Sequence, residues 1–170
     1  YDLIDPDTKA VVGIAQEKVS GLVKFFRLLI DKSLMPARVE IATGANQPPV
    51  LVLRRNVGFL RKTVTVADGN GVQLGFFKSK IMSLGGGFLV FSPDGQQFAD
   101  VKGDWKGWNF KFLDLTGKEM GLVTKKWAGL GKELFTSADN YIVEIKDGTS
   151  NNALLVAAAI AIDTVFKEKK

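Results

Sequence analysis

The fold depends on Ala153-Leu-Leu-Val-Ala-Ala-Ala-Ile-Ala-Ile162, an unbroken apolar run that Asp163 interrupts and Lys167-Glu-Lys-Lys170 closes. A helix that spans a membrane needs about 18 apolar residues, and runs of about 10–14 are typical of buried core helices. Alanine and leucine favour helix, and Asn151 is a suitable N-cap. The sequence therefore predicts a helix over about 152–169 that protein surrounds on all sides, with membrane insertion as the alternative.

The rest of the chain mostly alternates apolar and polar residues as β-strands do, and one pattern recurs in it. Each copy has an apolar pair at i and i+2, a turn with aspartate and usually glycine, and an apolar residue followed by a small one. The copies lie at 1–13, 64–75, 88–99 and 110–121. Asp-Gly and Asn-Gly supply the positive φ angles of tight hairpins, so the pattern predicts a meander of antiparallel hairpins.

Other segments carry weaker patterns of the same kind. Alternation predicts further strands at 38–43, 51–55 and 141–145. Between the first two hairpins, apolar residues at helical spacing predict a short helix or irregular turn over 20–33, which Pro36 ends.

A long antiparallel sheet and one wholly apolar helix have to bury each other. If the sheet curls into a closed barrel, its inner face covers the helix and no edge strand is left exposed. The predicted fold class is therefore mainly β with α, a closed antiparallel barrel around the C-terminal helix. An open sheet with the helix across one face is the alternative.

The composition argues against an enzyme. The 170 residues contain neither cysteine nor histidine, which excludes thiolate metal sites, thiol nucleophiles and imidazole bases. No pair of carboxylates has the spacing of an acid–base couple, so we expect a non-enzymatic protein. The length fits one domain over 1–170. The net charge of +5 favours a polyanionic partner, either nucleic acid or an anionic membrane surface.

One group of basic residues consists of Arg54, Arg55, Arg61 and Lys62, which we expect to lie across a hairpin. Such a group binds anionic lipid headgroups at about 1 kcal/mol per basic residue near the surface, and a solvated face is the structural alternative. Basic and aromatic residues also interleave over 102–111. That pattern suits base stacking on a nucleic acid, but it is equally typical of strand and turn residues.

Several stretches resemble the phospholipid scramblase family, within the tubby-like C-terminal superfamily. The most specific is Lys125-Lys-Trp-Ala-Gly129 followed by Glu133-Leu-Phe-Thr-Ser-Ala-Asp-Asn-Tyr141. Pro36-Ala-Arg38 and the opening Tyr1-Asp-Leu-Ile-Asp5 support it, and the helix that ends at Ile162-Asp163 resembles the family's hydrophobic C-terminal helix. The resemblance covers essentially the whole chain.

This resemblance implies a barrel of about twelve strands around a central helix. It also implies phospholipid binding or transbilayer phospholipid movement, with calcium dependence claimed for some members. We therefore expect an anionic phospholipid membrane as partner and a cytoplasmic or membrane-associated location. The alternative is a non-enzymatic interaction module that binds nucleic acid or protein through its basic clusters.

The calcium segment that the resemblance implies overlaps 137–148, where the carboxylates are Asp139, Glu144 and Asp147. Calcium-binding loops need several oxygen ligands at spaced positions, including a bidentate carboxylate at the twelfth. Glycine stands at that twelfth position here, and part of the segment alternates like a strand. We expect a structural strand and no cofactor, with calcium at these three carboxylates as the alternative.

Overall fold

The computed structural model describes residues 2–5, 7–19, 35–56, 62–80, 87–104, 109–124, 142–146 and 151–166. Within them lie eleven strands and one helix, α1 (Asn152–Phe166). The strands are β1 (Asp2–Ile4), β2 (Val11–Glu17), β3 (Ala37–Ala42), β4 (Pro49–Arg55), β5 (Thr63–Asp68), β6 (Gln73–Ser79), β7 (Gly87–Phe91), β8 (Gln97–Asp104), β9 (Asn109–Asp114), β10 (Glu119–Thr124) and β11 (Ile142–Ile145).

The eleven strands form one antiparallel sheet in which each strand pairs with its neighbours in sequence. The four copies of the repeated pattern are the hairpins β1–β2, β5–β6, β7–β8 and β9–β10. The predicted meander is therefore confirmed. Strands β3, β4 and β11 confirm the three further strands to within two residues at each end, whereas the helix or turn predicted over 20–33 lies outside the described residues.

Each strand turns alternate side chains into a common core. In β5 the buried residues are Val64 and Val66, and in β9 they are Phe110 and Phe112. All eleven strands contribute to the hydrophobic cluster that also contains the helix. The residue that β1 contributes is Leu3. Burial of each large apolar side chain contributes about 1.5–3 kcal/mol, so this cluster is the main source of folding free energy.

Helix α1 lies inside that core. The six consecutive residues 157–162 are each at most 8% exposed. Because a helix turns once every 3.6 residues, six successive buried residues leave no side of it facing solvent. At one point the sheet approaches closely, since a Cβ on Gly75 of β6 would lie 3.0 Å from Leu154 Cδ1. The prediction of a helix surrounded by protein is confirmed over these residues, although 167–169 lie outside the described part.

The sheet is not closed by hydrogen bonds. Across the described residues the strand order runs from β1 to β11, and no ladder joins these two outer strands. They are also the shortest described strands, with three and four residues. The prediction of a mainly antiparallel β fold with a C-terminal helix is thus confirmed, but the closed barrel of about twelve strands is not shown.

Antiparallel order places successive connections at opposite ends of the sheet. We call one end of the sheet the turn end, because short turns follow β1, β3, β5, β7 and β9 there. The other is the connector end, where β2, β4, β6, β8 and β10 finish and the next strands begin. Most residues of the connections at the connector end lie outside the described part of the chain.

Candidate functional site

Aspartates shape the turn end through hydrogen bonds to their own turns. Asp5, Asp68 and Asp114 each begin a turn, and Oδ1 of each accepts backbone N–H groups from residues two to four positions later. In the turn after β7 Ser92 holds the equivalent position, and Asp94 Oδ1 accepts from the Ser92 hydroxyl and from Gln96 N at 3.4 Å. In Asp114, for example, the donors are Thr116 N at 2.8 Å and Lys118 N at 2.9 Å. Aspartate is favoured in turns because its side chain satisfies such donors.

In three of these turns the hydrogen bonds favour the ionised carboxylate. The Thr116 hydroxyl, followed by the Lys118 N–H, lowers the pKa of Asp114. The Thr8 N–H lowers the pKa of Asp5, and the Ser92 hydroxyl lowers that of Asp94. Since each carboxylate already accepts several hydrogen bonds from its own turn, these aspartates hold the hairpins rather than a ligand.

The turn end also exposes apolar side chains. The large hydrophobic residues that are most exposed within the described residues all lie there, namely Ile4, Val11, Val12, Val50, Val72 and Leu115. Three of them share the β1–β2 hairpin, where Ile4 and Val11 are register partners, and the other three lie one each on the hairpins β3–β4, β5–β6 and β9–β10. Scattered apolar side chains of this kind are ordinary on protein surfaces, so they do not by themselves mark a binding site.

At the connector end basic side chains outnumber acidic ones, whereas at the turn end acidic side chains outnumber basic ones. Its described basic residues are Lys18, Arg38, Arg54, Arg55, Lys62, Lys78, Lys80 and Lys102, against the acidic Glu17, Glu40, Asp100 and Asp104. The turn end has Asp5, Asp7, Asp68, Asp94, Asp114 and Glu119 against Lys9, Lys118 and Lys146. A segregation of this kind gives the molecule a basic end that attracts anions.

The two arginines at the end of β4 lie on opposite faces of the sheet. Arg55 points into the core and is 3% exposed, and its Nε and Nη2 donate to the Met35 carbonyl oxygen at 3.2 and 2.9 Å. Arg54 is exposed on the outer face. Successive side chains of a strand alternate between faces, so the predicted group does not form one surface. Arg55 instead ties the start of β3 to the end of β4.

The other two members of that predicted group are only partly described. Arg61 lies outside the described residues. Lys62 is half-buried, and its backbone N–H donates to Ser79 Oγ at 2.9 Å. The Ser79 N–H in turn donates to the Lys62 carbonyl at 2.9 Å, which fixes Lys62 beside the end of β6.

Arg54 belongs to a line of residues that crosses five strands on the outer face. Successive register partners are Arg38, Arg54, Thr65, Phe76 and Phe91, and we call these residues the outer row. Directly opposite residues on neighbouring strands have Cβ atoms about 4.5–5.5 Å apart, so successive members lie side by side. The outer row therefore joins two guanidinium groups, a hydroxyl and two aromatic rings in one continuous strip.

The aromatic end of the outer row is stacked. The Phe76 and Phe91 rings lie with centroids 4.9 Å apart and an interplanar angle of 7°. Lys78 Nζ lies 5.1 Å from the Phe76 centroid and 4.9 Å from the Phe91 centroid, within the range of a cation–π contact. Both rings remain partly exposed, so the strip presents aromatic surface next to positive charge.

The residues predicted as calcium ligands are not brought together in the described part. Asp139 and Asp147 lie outside it. Glu144 is exposed in β11, where its Oε1 accepts from Lys146 Nζ at 2.7 Å, and this contact raises the pKa of Lys146. The described residues contain no group of three or more acidic side chains that could hold a metal ion. The strand predicted over 141–145 is confirmed as β11.

Nor does any helix in the described part of the chain have the length and apolar character needed to span a membrane.

Comparison with known families gives one match. The family model described as Scramblase matches residues 14–169. The chain belongs to the scramblase family. Neither the curated proteins nor the solved structures include a match to it.

The match runs from β2 through α1, so the scramblase family resemblance seen in the sequence is confirmed over nearly the whole chain. Sequence patterns did not identify the outer row, because its members come from five strands. The alternation of each strand indicates that Arg38 and Arg54 face outward, but only the register shows that they lie side by side.

Proposed function

We propose that this scramblase-family protein is a membrane-associated, phospholipid-binding protein that meets anionic headgroups through its connector end and outer row. The observation that carries the proposal is Arg54, whose side chain is exposed and has no ion-pair or hydrogen-bond partner among the described residues. It lies on a basic surface of a protein whose family is named for phospholipid movement.

Electrostatics supports this orientation. Each basic residue near an anionic bilayer contributes about 1 kcal/mol of attraction, and acidic residues oppose it. The described basic residues lie mainly at the connector end, whereas the acidic turns lie at the other end. An anionic membrane therefore favours contact with the connector end, and Arg54 and Lys62 are the described members of the predicted headgroup cluster that this contact involves.

The proposed scaffold is one domain over 1–170, a closed barrel of about twelve strands around α1. Its support is the all-round burial of residues 157–162 and the contribution of every strand to the same core. Closure would require β1 and β11 to be joined through further residues. With the helix enclosed, binding takes place on the outer surface of the barrel. The wider tubby-like grouping is consistent with this scaffold and stays a prediction.

Vesicle flotation tests the proposal directly. We expect the protein to float with vesicles of phosphatidylcholine and phosphatidylserine, to float far less with phosphatidylcholine alone, and to be released by high salt. Equal flotation with both vesicles would contradict a role for the basic surface and would point to the apolar side chains of the turn end. Failure to float with either, together with salt-dependent binding to DNA, would favour the nucleic-acid alternative.

Transbilayer movement is the second activity that family membership suggests. A dithionite assay on vesicles with fluorescent phospholipid measures it, because only outer-leaflet dye is bleached unless lipids exchange. Bleaching beyond the outer-leaflet fraction would support movement. Bleaching limited to that fraction, in vesicles that bind the protein, would restrict the function to binding.

A further inference from the structure

We infer that Arg38, Arg54 and Thr65 form a site for the phosphomonoester headgroup of a phospholipid. This inference rests on the proposed function and adds the chemical group that the outer row recognises. The three residues are consecutive register partners on β3, β4 and β5. Two guanidinium groups and a hydroxyl on one exposed strip offer several N–H and O–H donors to the oxygens of one phosphate.

The site has two positive side chains, Arg38 and Arg54, and only one negative side chain beside them, Glu40. Like charges directly opposite each other on neighbouring strands destabilise a sheet, and Arg38 and Arg54 are such a pair. Glu40 neutralises only Arg38, since its Oε1 accepts from Arg38 Nε at 2.9 Å and lies 2.8 Å from Nη2. Arg54 has no partner among the described residues. A phosphate beside Arg54 would relieve the repulsion between the two arginines.

The geometry favours a terminal phosphate over a diester. Arginine presents five N–H donors in a planar fork, and Glu40 uses only two of those of Arg38. The remaining donors, all of Arg54 and the Thr65 hydroxyl can surround an exposed phosphomonoester. A phosphodiester lies beneath its own headgroup and carries less charge, because a monoester carries about −1.5 to −2 at neutral pH.

A pair of lysines elsewhere on the outer face has the same charges as the arginine pair but lacks the guanidinium groups. Lys102 and Lys111 are also direct register partners on the outer face. Lys111 is held by Glu119 at 2.9 Å, and Lys102 is exposed without a partner among the described residues. The charges match those of the arginine pair, but each ammonium is a point charge without the planar fork. This pair therefore attracts anions without selecting the phosphomonoester.

The neighbouring aromatic pair assigns the phosphate to a lipid rather than to a free anion. Phe76 is the register partner of Thr65, and the stacked rings continue the same strip. Partly exposed aromatic rings favour the membrane interface, where apolar surface meets polar headgroups. A free phosphate gains nothing from them, whereas a headgroup in a bilayer brings both surfaces into contact at once.

Flotation of Arg54→Gln beside Lys102→Gln tests the site, since each change removes one exposed positive charge. The vesicles contain phosphatidylcholine with an equal surface charge of phosphatidic acid or phosphatidylserine. We expect the wild type to prefer phosphatidic acid several-fold. Arg54→Gln should lower phosphatidic acid binding about tenfold and abolish the preference. Lys102→Gln should lower binding to both vesicles alike, by about fivefold at most, and keep the preference.

A preference that survives Arg54→Gln, or equal losses in the two variants, would overturn the phosphate site while vesicle binding itself still supported the proposed function. Absence of wild-type flotation with both anionic vesicles would instead overturn the proposed function. Circular dichroism checks the fold of each variant, and we expect spectra like that of the wild type because the changed residues are exposed. Inorganic phosphate should release the protein from phosphatidic acid vesicles only weakly. Release as effective as that by an excess of unlabelled phosphatidic acid vesicles would overturn the assignment to a lipid.

Two glutamates supply a second matched test. Glu40 and Glu144 each accept from a basic side chain two residues away in the sequence, but only Glu40 adjoins the site. Glu40→Gln should free Arg38 and raise phosphatidic acid binding several-fold relative to phosphatidylserine. Glu144→Gln should change binding to both vesicles equally. A selective gain in Glu144→Gln, or none in Glu40→Gln, would contradict the site.

Discussion

The turn end and the connector end are built from the same strands but by different means. At the turn end, short connections carry aspartates such as Asp68 and Asp114, whose carboxylates hold the hairpins through local hydrogen bonds. At the connector end, contacts between residues far apart in sequence also take part, as between Arg55 and Met35 or between Lys62 and Ser79. Local chemistry shapes one end and tertiary contacts shape the other.

The charged side chains of the turn end stabilise the fold, whereas some of those at the connector end remain exposed to a ligand. The aspartates of the turn end are satisfied within their own hairpins and have little left to offer a partner. The connector end leaves Arg54 and Lys102 exposed and without partners among the described residues. Unpaired surface charge costs little stability, so it is retained where a ligand uses it or where solvent suffices. The following variants separate the two ends by stability.

The largest effect is expected at Arg55. Arg55→Ala removes a buried guanidinium that donates twice to the Met35 carbonyl, and the unfolding free energy should fall by about 2–4 kcal/mol. Arg54→Ala, the exposed neighbour, should change it by about 0.5 kcal/mol at most. Urea unfolding followed by circular dichroism measures both. Similar losses in the two variants would contradict their placement on opposite faces.

A smaller effect is expected at Gly103, near the connector end of β8. A Cβ there would overlap the Phe110 ring, which is fully buried. Gly103→Ala should destabilise the protein by about 1–3 kcal/mol through overpacking. Gly44→Ala is the control, because its Cβ would meet nothing closer than Gln47 Cγ at 3.6 Å. Equal unfolding midpoints for the two variants would show that the Phe110 packing is wrong.

At the turn end, Gly117 has room for a side chain but an unsuitable backbone. Its φ angle is +90°, and a Cβ there would meet nothing within 4 Å. Gly117→Ala should therefore cost about 1 kcal/mol from backbone conformation alone. Thermal unfolding measures it, and an unchanged melting temperature would show that the turn relaxes to another conformation.

The smallest effect is an acid dependence that arises at the turn end. The pKa values of Asp5, Asp94 and Asp114 lie below the ordinary value of 3.8 in the folded protein. Their stabilising contribution is therefore complete above that value and is lost as pH falls through the lower, folded values. Asp114→Asn should make the urea midpoint less sensitive to pH between about 5 and 2. An unchanged acid slope would contradict the role of the Thr116 and Lys118 contacts.

The sequence predicted the turn end better than the connector end, for a physical reason. Short turns with aspartate and glycine depend on residues close together in the sequence, so the hairpins after β5, β7 and β9 followed from the sequence. The enclosed helix followed from its uninterrupted apolar composition. Closure of the barrel did not follow, because pairing between the first and last strands depends on contacts across the whole chain.

The candidate site was predicted only in part. Arg54 was identified from its charge, but Arg55 was grouped with it although strand alternation already placed the two on opposite faces. The partners of Arg54 were missed, since Arg38 and Thr65 are distant in sequence and become neighbours through register. Charge patterns thus locate basic residues, and register decides which of them share a surface.

Hydrogen exchange of α1 in the vesicle-bound protein tests the central claim most directly, namely that the membrane meets the outer surface while the helix stays enclosed. Residues 157–162 are buried on every side, so their amides should exchange slowly in the free protein. The account predicts the same slow exchange when the protein is bound to anionic vesicles. A loss of protection at these amides on binding would contradict it and would show that the helix leaves the sheet to meet the membrane.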